Sequence, residues 1–403
     1  MLEVADRPLQ PLGVVPRQHC WRPGAASRKC DKRADCDSTD WCERLASSPP
    51  GSYSWYSMRP ELSLSAALLC LAVSHRAAAQ GSERLFDSKR VLELRIATDL
   101  KALMQERDSL KLKPHPGTLT YVANDGQRVS IETELKLRGH WRRQRRNCDF
   151  APIEVDFPKG ARAGTIFAGQ GALKLVTHCR SKNPEFEQYV LREYLVYQLA
   201  DLLTPVNLHT RLVRATYVDT VGKQDSLTHN AFLIENEKRA AARYNAQVLD
   251  IKGATWDVVD PQLGALVSAF EYMIGGSDWS LVGLHNIVLF EQKGTGVVWP
   301  MAYDFDWSGI VWTRYSFPDS RLPITSVRQR LYRGICRTPE EWAPILAKFE
   351  AKKTELYAVY DSVPELDPKY VKQTRQYLDE FFDVISNPRK MKREMIDTCR
   401  PGV

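Results

Sequence analysis

The chain has 403 residues, 43% of them hydrophobic and 26% charged, with 23 Pro, 22 Gly and 9 Cys, and 56 Lys+Arg against 49 Asp+Glu leave a formal charge of +7. That composition excludes a disordered, collagen-like or disulfide-knot protein and allows one large or two modest domains with a sizeable core. The charge is mild and mixed in sign, with no basic tail and no zinc-knuckle spacing, which argues against a nucleic-acid partner.

Residues 1–57 are rich in Arg, Pro, Ser and Cys and lack a sustained apolar period, so they are expected to be disordered or non-native upstream sequence. Their cysteines, Cys20, Cys30, Cys36 and Cys42, are not read as a metal site, although a small disulfide module stays open. Residues 58–79 look like a secretory signal peptide: Met58, Arg59, an apolar run over 62–73, then small residues at Ala77 and Ala79 before Gln80. The run is shorter than the ~20 residues a spanning helix needs, and a retained anchor is the alternative. A secreted, periplasmic or cell-surface protein is expected, its domain covering 80–403.

Export changes the meaning of the remaining thiols, Cys148, Cys179, Cys336 and Cys399, because disulfides persist outside the cytoplasm. Four cysteines allow three connectivities. Cys148–Cys179 with Cys336–Cys399 is favoured, since each pair encloses one stretch of chain; free thiols are the alternative.

Period-two alternation predicts strands over 91–96, 117–121 and 129–138, with further strands at 153–157 and 172–176. Prolines 184 and 205 bracket a helix over 184–203. Strands return at 212–218 and 231–234, then a helix at 261–274, a strand pair at 286–291 and 297–303, and long helices at 339–360 and 368–385. Strands dominate the first part and helices the second, an α+β arrangement with a ligand expected between two lobes. Trp342, Tyr357, Tyr360, Phe381 and Phe382 are expected to pack a helical core.

The residues that carry chemistry lie around the second strand pair. Asn286, Asp304 and Asp306 put amide and carboxylate oxygens at strand ends, as a hard divalent cation requires, while Asp278 could accept a proton from a hydroxyl or orient it. Turn-capping aspartates are the structural alternative. Upstream, Lys174 alternates with apolar residues on a probable central strand, and Glu193 falls on the apolar face of the following helix. A Lys174–Glu193 ion pair would satisfy both, unless both are solvated.

Lys on a strand, Glu on a helix, Asp…Asn and Asp-Phe-Asp, in that order, resemble the parts of a protein-kinase-like phosphotransferase. More narrowly, the chain resembles the CotH family of secreted atypical kinases. The resemblance is carried by Leu135-Lys136-Leu137-Arg138-Gly139, the Lys174 strand, Leu191-Arg192-Glu193-Tyr194, Leu233-Ile234-Glu235, Asp278…His285-Asn286 and Trp299-Pro300…Asp304-Phe305-Asp306. It implies a two-lobed kinase-like fold, with a strand-rich lobe over about 85–235 and a mainly helical lobe over about 236–403. It also implies ATP with Mg²⁺ or Mn²⁺ as cofactors and protein hydroxyls as substrate. Lys174 would meet the nucleotide phosphates and pair with Glu193, Arg138 and Gly139 would lie near them, and Asp278 would be the base. Asn286, Asp304 and Asp306 would hold metal, and 233–237, including Glu235, would form the linker against which adenine packs.

The chain departs from that family at His140-Trp141-Arg142-Arg143-Gln144-Arg145-Arg146, where small polar residues are usual. This basic run could grip phosphate or an acidic protein, or be a solvated loop. His285 is expected to pack or hydrogen-bond rather than bind metal. The rival readings are a catalytically silent kinase-like surface module and a glycosyltransferase using Asp304-Phe305-Asp306 as a metal-diphosphate motif. The latter would favour a doubly wound parallel sheet.

Overall fold

Alternating apolar residues set the first half of the fold. The computed structural model describes residues 84–107, 112–222 and 225–401; the expected extension, the signal peptide and its cleavage point, and the cysteines before Cys148 lie outside the described residues. Seven strands, β1 (Leu92–Thr98), β2 (His115–Val122), β3 (Arg128–Leu137), β4 (Ile153–Asp156), β5 (Leu173–Val176), β6 (Thr210–Asp219) and β7 (Leu227–Ile234), pair in the order β1-β2-β3-β4-β5-β7-β6. The early pairings are antiparallel, as the alternation suggests. Closure is not legible in it: β6 runs parallel to β1, with Leu92 opposite Val213 and Thr98 opposite Asp219, so the strands form a closed barrel.

Each strand sends alternate side chains to opposite faces. Leu94, Ile96, Leu119, Ile131, Leu135, Val155, Leu173, Leu175 and Leu233 fill one core. Val176, Leu212, Phe232 and Ile234 belong to a second core shared with the helices.

Two helices accompany these strands, the short α1 (Leu100–Gln105) after β1 and α2 (Pro184–Leu203) after β5. The α2 bounds are those predicted. Asn183 caps it by accepting the Glu185 N–H at 3.0 Å, and Pro184 supplies the first helical residue, which needs no N–H donor. Most of α2 from Phe186 to Leu203 is buried, with buried residues on every face of the helix.

The rest of the chain adds α3 (Glu237–Arg243), β8 (Ala246–Leu249), α4 (Pro261–Ile274), β9 (Ile287–Gln292), β10 (Val298–Ala302), α5 (Pro339–Ala351), α6 (Lys353–Ala358), α7 (Pro368–Ser386) and α8 (Pro388–Met391). Strands β10, β9 and β8 make a separate antiparallel sheet. The predicted helix over 339–360 is interrupted at Lys352, between α5 and α6. Trp342, Tyr360, Phe381 and Phe382 are buried in the helical core, and Tyr357 packs against it. The α4 helix starts where Asp260 accepts the Leu263 N–H at 2.8 Å and ends at Gly275 with φ 68°. A side chain at Gly275 would also collide with the Tyr377 hydroxyl.

Cys148 is bonded to Cys179 and Cys336 to Cys399, the favoured connectivity. Among the described residues, no helix is long and apolar enough to cross a membrane.

Candidate functional site

On β5, Leu173 and Leu175 face the barrel core, so Lys174 faces the other way. It lines a cleft with Arg138, Glu193, Tyr197, Tyr303 and Asp304. Thus the strand lysine, the helix glutamate and the first aspartate of Asp304-Phe305-Asp306 converge. The expected Lys174–Glu193 ion pair is not formed. The Lys174 ammonium pairs instead with the Glu237 carboxylate at the start of α3 and lies 5.1 Å from the centre of the Tyr303 ring. Burial works against the Glu237 charge, but Lys174 outweighs it and holds the carboxyl below its ordinary range.

Glu193 has a different partner, from the basic run after β3. The Arg142 guanidinium, only 11% exposed, lies 3.5 Å from Glu193 Oε2 through Nη1, 3.7 Å from Asp304 Oδ1 through Nη2 and 3.6 Å from Asp306 Oδ2 through Nε. Asp306 also accepts a hydrogen bond from the Tyr315 hydroxyl at 3.1 Å. Burial raises the Glu193 carboxyl above its ordinary range against the pull of Arg142, and does the same to Asp306. Among the described residues, Glu193 Oε1 has no hydrogen-bond partner, although it is buried. Arg142 is the residue that sequence reasoning did not single out. The one available signal was its place in a basic run between Trp141 and the disulfide cysteine Cys148.

The Arg142 loop is fixed at several points. Trp141 stacks on Tyr315 with ring centres 4.6 Å apart. The Arg107 guanidinium donates to the carbonyls of Arg143 and Cys148, both at 2.8 Å, and of Asp149 at 2.7 Å. The Cys148–Cys179 bond ties the loop to the segment after β5.

The hairpin of β9 and β10 positions the oxygen donors. Its ladder pairs Ala302 with Ile287 and continues to a Tyr303 N–H donating to the Asn286 carbonyl at 3.1 Å, so Asn286 and Asp304 leave the same end. Both have left-handed backbones, φ 53° and 61°, which Asn and Asp tolerate better than most residues and which cluster at functional sites. The Asp304 N–H donates to the Tyr197 hydroxyl at 3.0 Å, and Phe305 packs between Tyr197 and Phe270. The Asp304 carboxylate remains 45% exposed.

Asp278 sits just beyond α4. Asn286 Nδ2 donates to its carbonyl at 2.7 Å and to Oδ2 at 3.3 Å, while His285 Nε2 lies 3.0 Å from Oδ1. The long Asp278–Asn286 spacing is taken up by a loop closed by two backbone hydrogen bonds between Ser280 and His285. Its hydrogen bond to Asp278 raises the His285 pKa, with burial opposing. His285 is thus a hydrogen-bonding residue, as expected.

Arg138 reaches the cleft from the end of β3, and the adjacent Gly139 turns the chain with φ 81°. Glu235 behaves differently: its buried carboxylate accepts from Arg243 Nη2 at 2.8 Å and from the His209 N–H at 3.2 Å. Ile234, not Glu235, lines the cleft.

For a divalent cation, Asp304 and the amide oxygen of Asn286 are suitable hard donors, and Glu193 Oε1 is a buried oxygen of the cleft without a hydrogen-bond partner among the described residues. Asp306 fits less well as a ligand, since its Oδ2 is engaged by Arg142 and Tyr315. Among the described residues, no group of three or more His, Cys, Asp or Glu side chains is gathered to hold a metal.

No family model matches the chain, and no curated protein matches it. Among solved structures, the chain is similar to the Helicobacter pylori proinflammatory kinase CtkA, with 10% identity, 61% of this chain and 92% of that one covered, and a TM-score of 0.34. It is also similar to the Golgi casein kinase, with 9% identity, 78% of each chain covered and a TM-score of 0.31.

Proposed function

We propose that the chain is an exported, metal- and ATP-dependent phosphotransferase of the CotH type, acting on Ser, Thr or Tyr hydroxyls of extracellular or envelope proteins. The observation that carries this reading is the single cleft in which Lys174 and Arg138 face Glu193 and Asp304. Phosphoryl transfer asks mainly for positioning and charge neutralisation, so this combination suits it. Lys174 and Arg138 would bind phosphate oxygens. Val176, Leu208 and Ile234 add apolar side chains to the lining, against which a base would pack once the cleft opens. Asp278, 41% exposed and aligned by His285 and Asn286, would receive the proton of the attacking hydroxyl. A divalent ion at Asp304 and Asn286 would neutralise phosphate charge.

The free space among these side chains is about 10 Å³, far below the ~300–1,000 Å³ of typical small-molecule sites, so the cleft is closed as it stands and must open to admit phosphates and base alike. The antiparallel character of most of the barrel is unlike the doubly wound parallel sheet expected of a sugar-nucleotide enzyme.

Calorimetry with Mg²⁺-ATP and with a UDP-sugar tests the proposal. Wild-type protein should bind Mg²⁺-ATP and not the UDP-sugar, and Asp304→Ala should lose the binding. Unchanged Mg²⁺-ATP binding by Asp304→Ala would refute the assignment of the site.

A further inference from the structure

We propose that Arg142 is a built-in counter-cation that takes the place of one divalent ion, closing Asp306 to metal and leaving a single-ion site at Asp304 and Asn286. The inference deepens the phosphotransferase reading and rests on its assignment of Asp304 as a metal ligand.

A carboxylate cluster between a phosphate-binding lysine and a catalytic aspartate needs positive charge, and a metal ion is one source. Here a side chain supplies it from within the chain. The guanidinium presents a different nitrogen to each of Glu193, Asp304 and Asp306, at 3.5, 3.7 and 3.6 Å. Arginine suits this position because its planar group carries N–H donors in several directions and keeps its charge under all ordinary conditions. A lysine could offer only a point charge.

Lys174 cannot take this role where it stands, because its ammonium is paired with Glu237. The guanidinium is about as close to Asp304 as to Asp306, but the Asp304 carboxylate is 45% exposed and can turn an oxygen to a hydrated ion. That of Asp306 is 10% exposed, and a second divalent ion there would meet the guanidinium with little water to screen like charges. The Tyr315 hydroxyl blocks the same carboxylate oxygen.

The loop that delivers Arg142 is fixed rather than free to withdraw. Trp141 stacks on Tyr315, the residue that also bonds Asp306, so two consecutive loop residues engage the same pair. Arg107 and the Cys148–Cys179 bond hold the far end. A solvated basic loop would need none of these attachments.

The test counts ions directly. Mn²⁺ is titrated into the full chain, with and without a non-hydrolysable ATP analogue, and free Mn²⁺ is read by electron paramagnetic resonance. Wild type should bind one ion per chain. Arg142→Gln should bind two, the second at least tenfold tighter than any further binding by wild type, and adding Asp306→Asn should remove it. Arg142→Lys, which keeps a charge, should still bind one.

Because Arg142→Gln strands two buried carboxylates, the double variant Arg142→Gln with Glu193→Gln provides a less burdened background, and it too should gain the second ion. Two ions or none on wild type, or an unchanged single ion in both neutral variants, would overturn the proposal. So would tighter binding of the ATP analogue by Arg142→Gln without a second ion, which would mark Arg142 as a plug. If the ion counts come out as expected but wild type ignores the ATP analogue, the phosphotransferase reading fails and the role of Arg142 stands.

Discussion

Removing the two disulfides one at a time separates what each contributes. Cys148 and Cys179 are 31 residues apart and Cys336 and Cys399 are 63 apart; the chain-entropy relation gives about 3.7 and about 4.3 kcal/mol at 25 °C. Ser replacements of each pair should therefore lower the unfolding free energy by similar amounts, measured by urea titration of Trp fluorescence. Ligand binding should divide them. The Cys148–Cys179 bond closes the loop that carries Arg142 into the cleft, whereas Cys336–Cys399 joins the segment before α5 to the C-terminal end, beside backbone hydrogen bonds from Cys336 to Arg400 and from Arg400 to Gly334. Loss of the first pair should weaken Mg²⁺-ATP binding tenfold or more, and loss of the second should leave it within twofold. Equal weakening by both would refute the assigned role of the loop. Stability losses differing by more than about 2 kcal/mol would refute the entropic estimate.

Lys174→Met should weaken Mg²⁺-ATP binding at least tenfold in calorimetry while the far-ultraviolet dichroism stays unchanged, since the outward face of β5 can keep a methionine. Glu271, buried on α4, has its carboxyl raised to about 8 by burial, with Arg333 opposing and Asp278 adding to the shift. The folded state then keeps a proton that the unfolded chain releases near 4.5, so stability falls as pH rises from about 4.5 to about 8, by up to about 1.4 kcal/mol per pH unit. Glu271→Gln should reduce that slope in urea titrations at pH 5 to 8, leaving the share that Glu193 and Asp306 contribute with the same sign, and a slope equal to wild type would contradict the shift. Gly275→Ala should cost about 2–4 kcal/mol through its left-handed backbone and the collision with Tyr377, read as a lowered urea midpoint.

Much of the local structure can be read from the chain because its signals are local. Proline at the first helical position, with an Asn or Asp cap before it, marks the starts of α2 and α4. Alternation gives β3 and the outward direction of Lys174. The short α1, α3 and β8 carry too few residues for a period to show. Partner choice is also beyond local pattern: helical spacing buries Glu193, but whether Lys174 or Arg142 reaches it depends on where the β3–β4 loop and the start of α3 come to rest. The same holds for Glu235, which the family resemblance puts in the linker and whose carboxylate is held by Arg243. The pairing of β1 with β6 leaves no local mark at all.

That parallel pairing bears on how the chain acquires its shape during synthesis. Among the described strands, β1 is made first and must wait more than a hundred residues for its second neighbour, Val213 for Leu92. Until then, among the described strands, it has β2 alone to pair with and leaves an open edge, the condition that favours association between nascent chains. Such distant contacts slow folding, so the late arrival of β6 is expected to limit the rate at which the barrel forms.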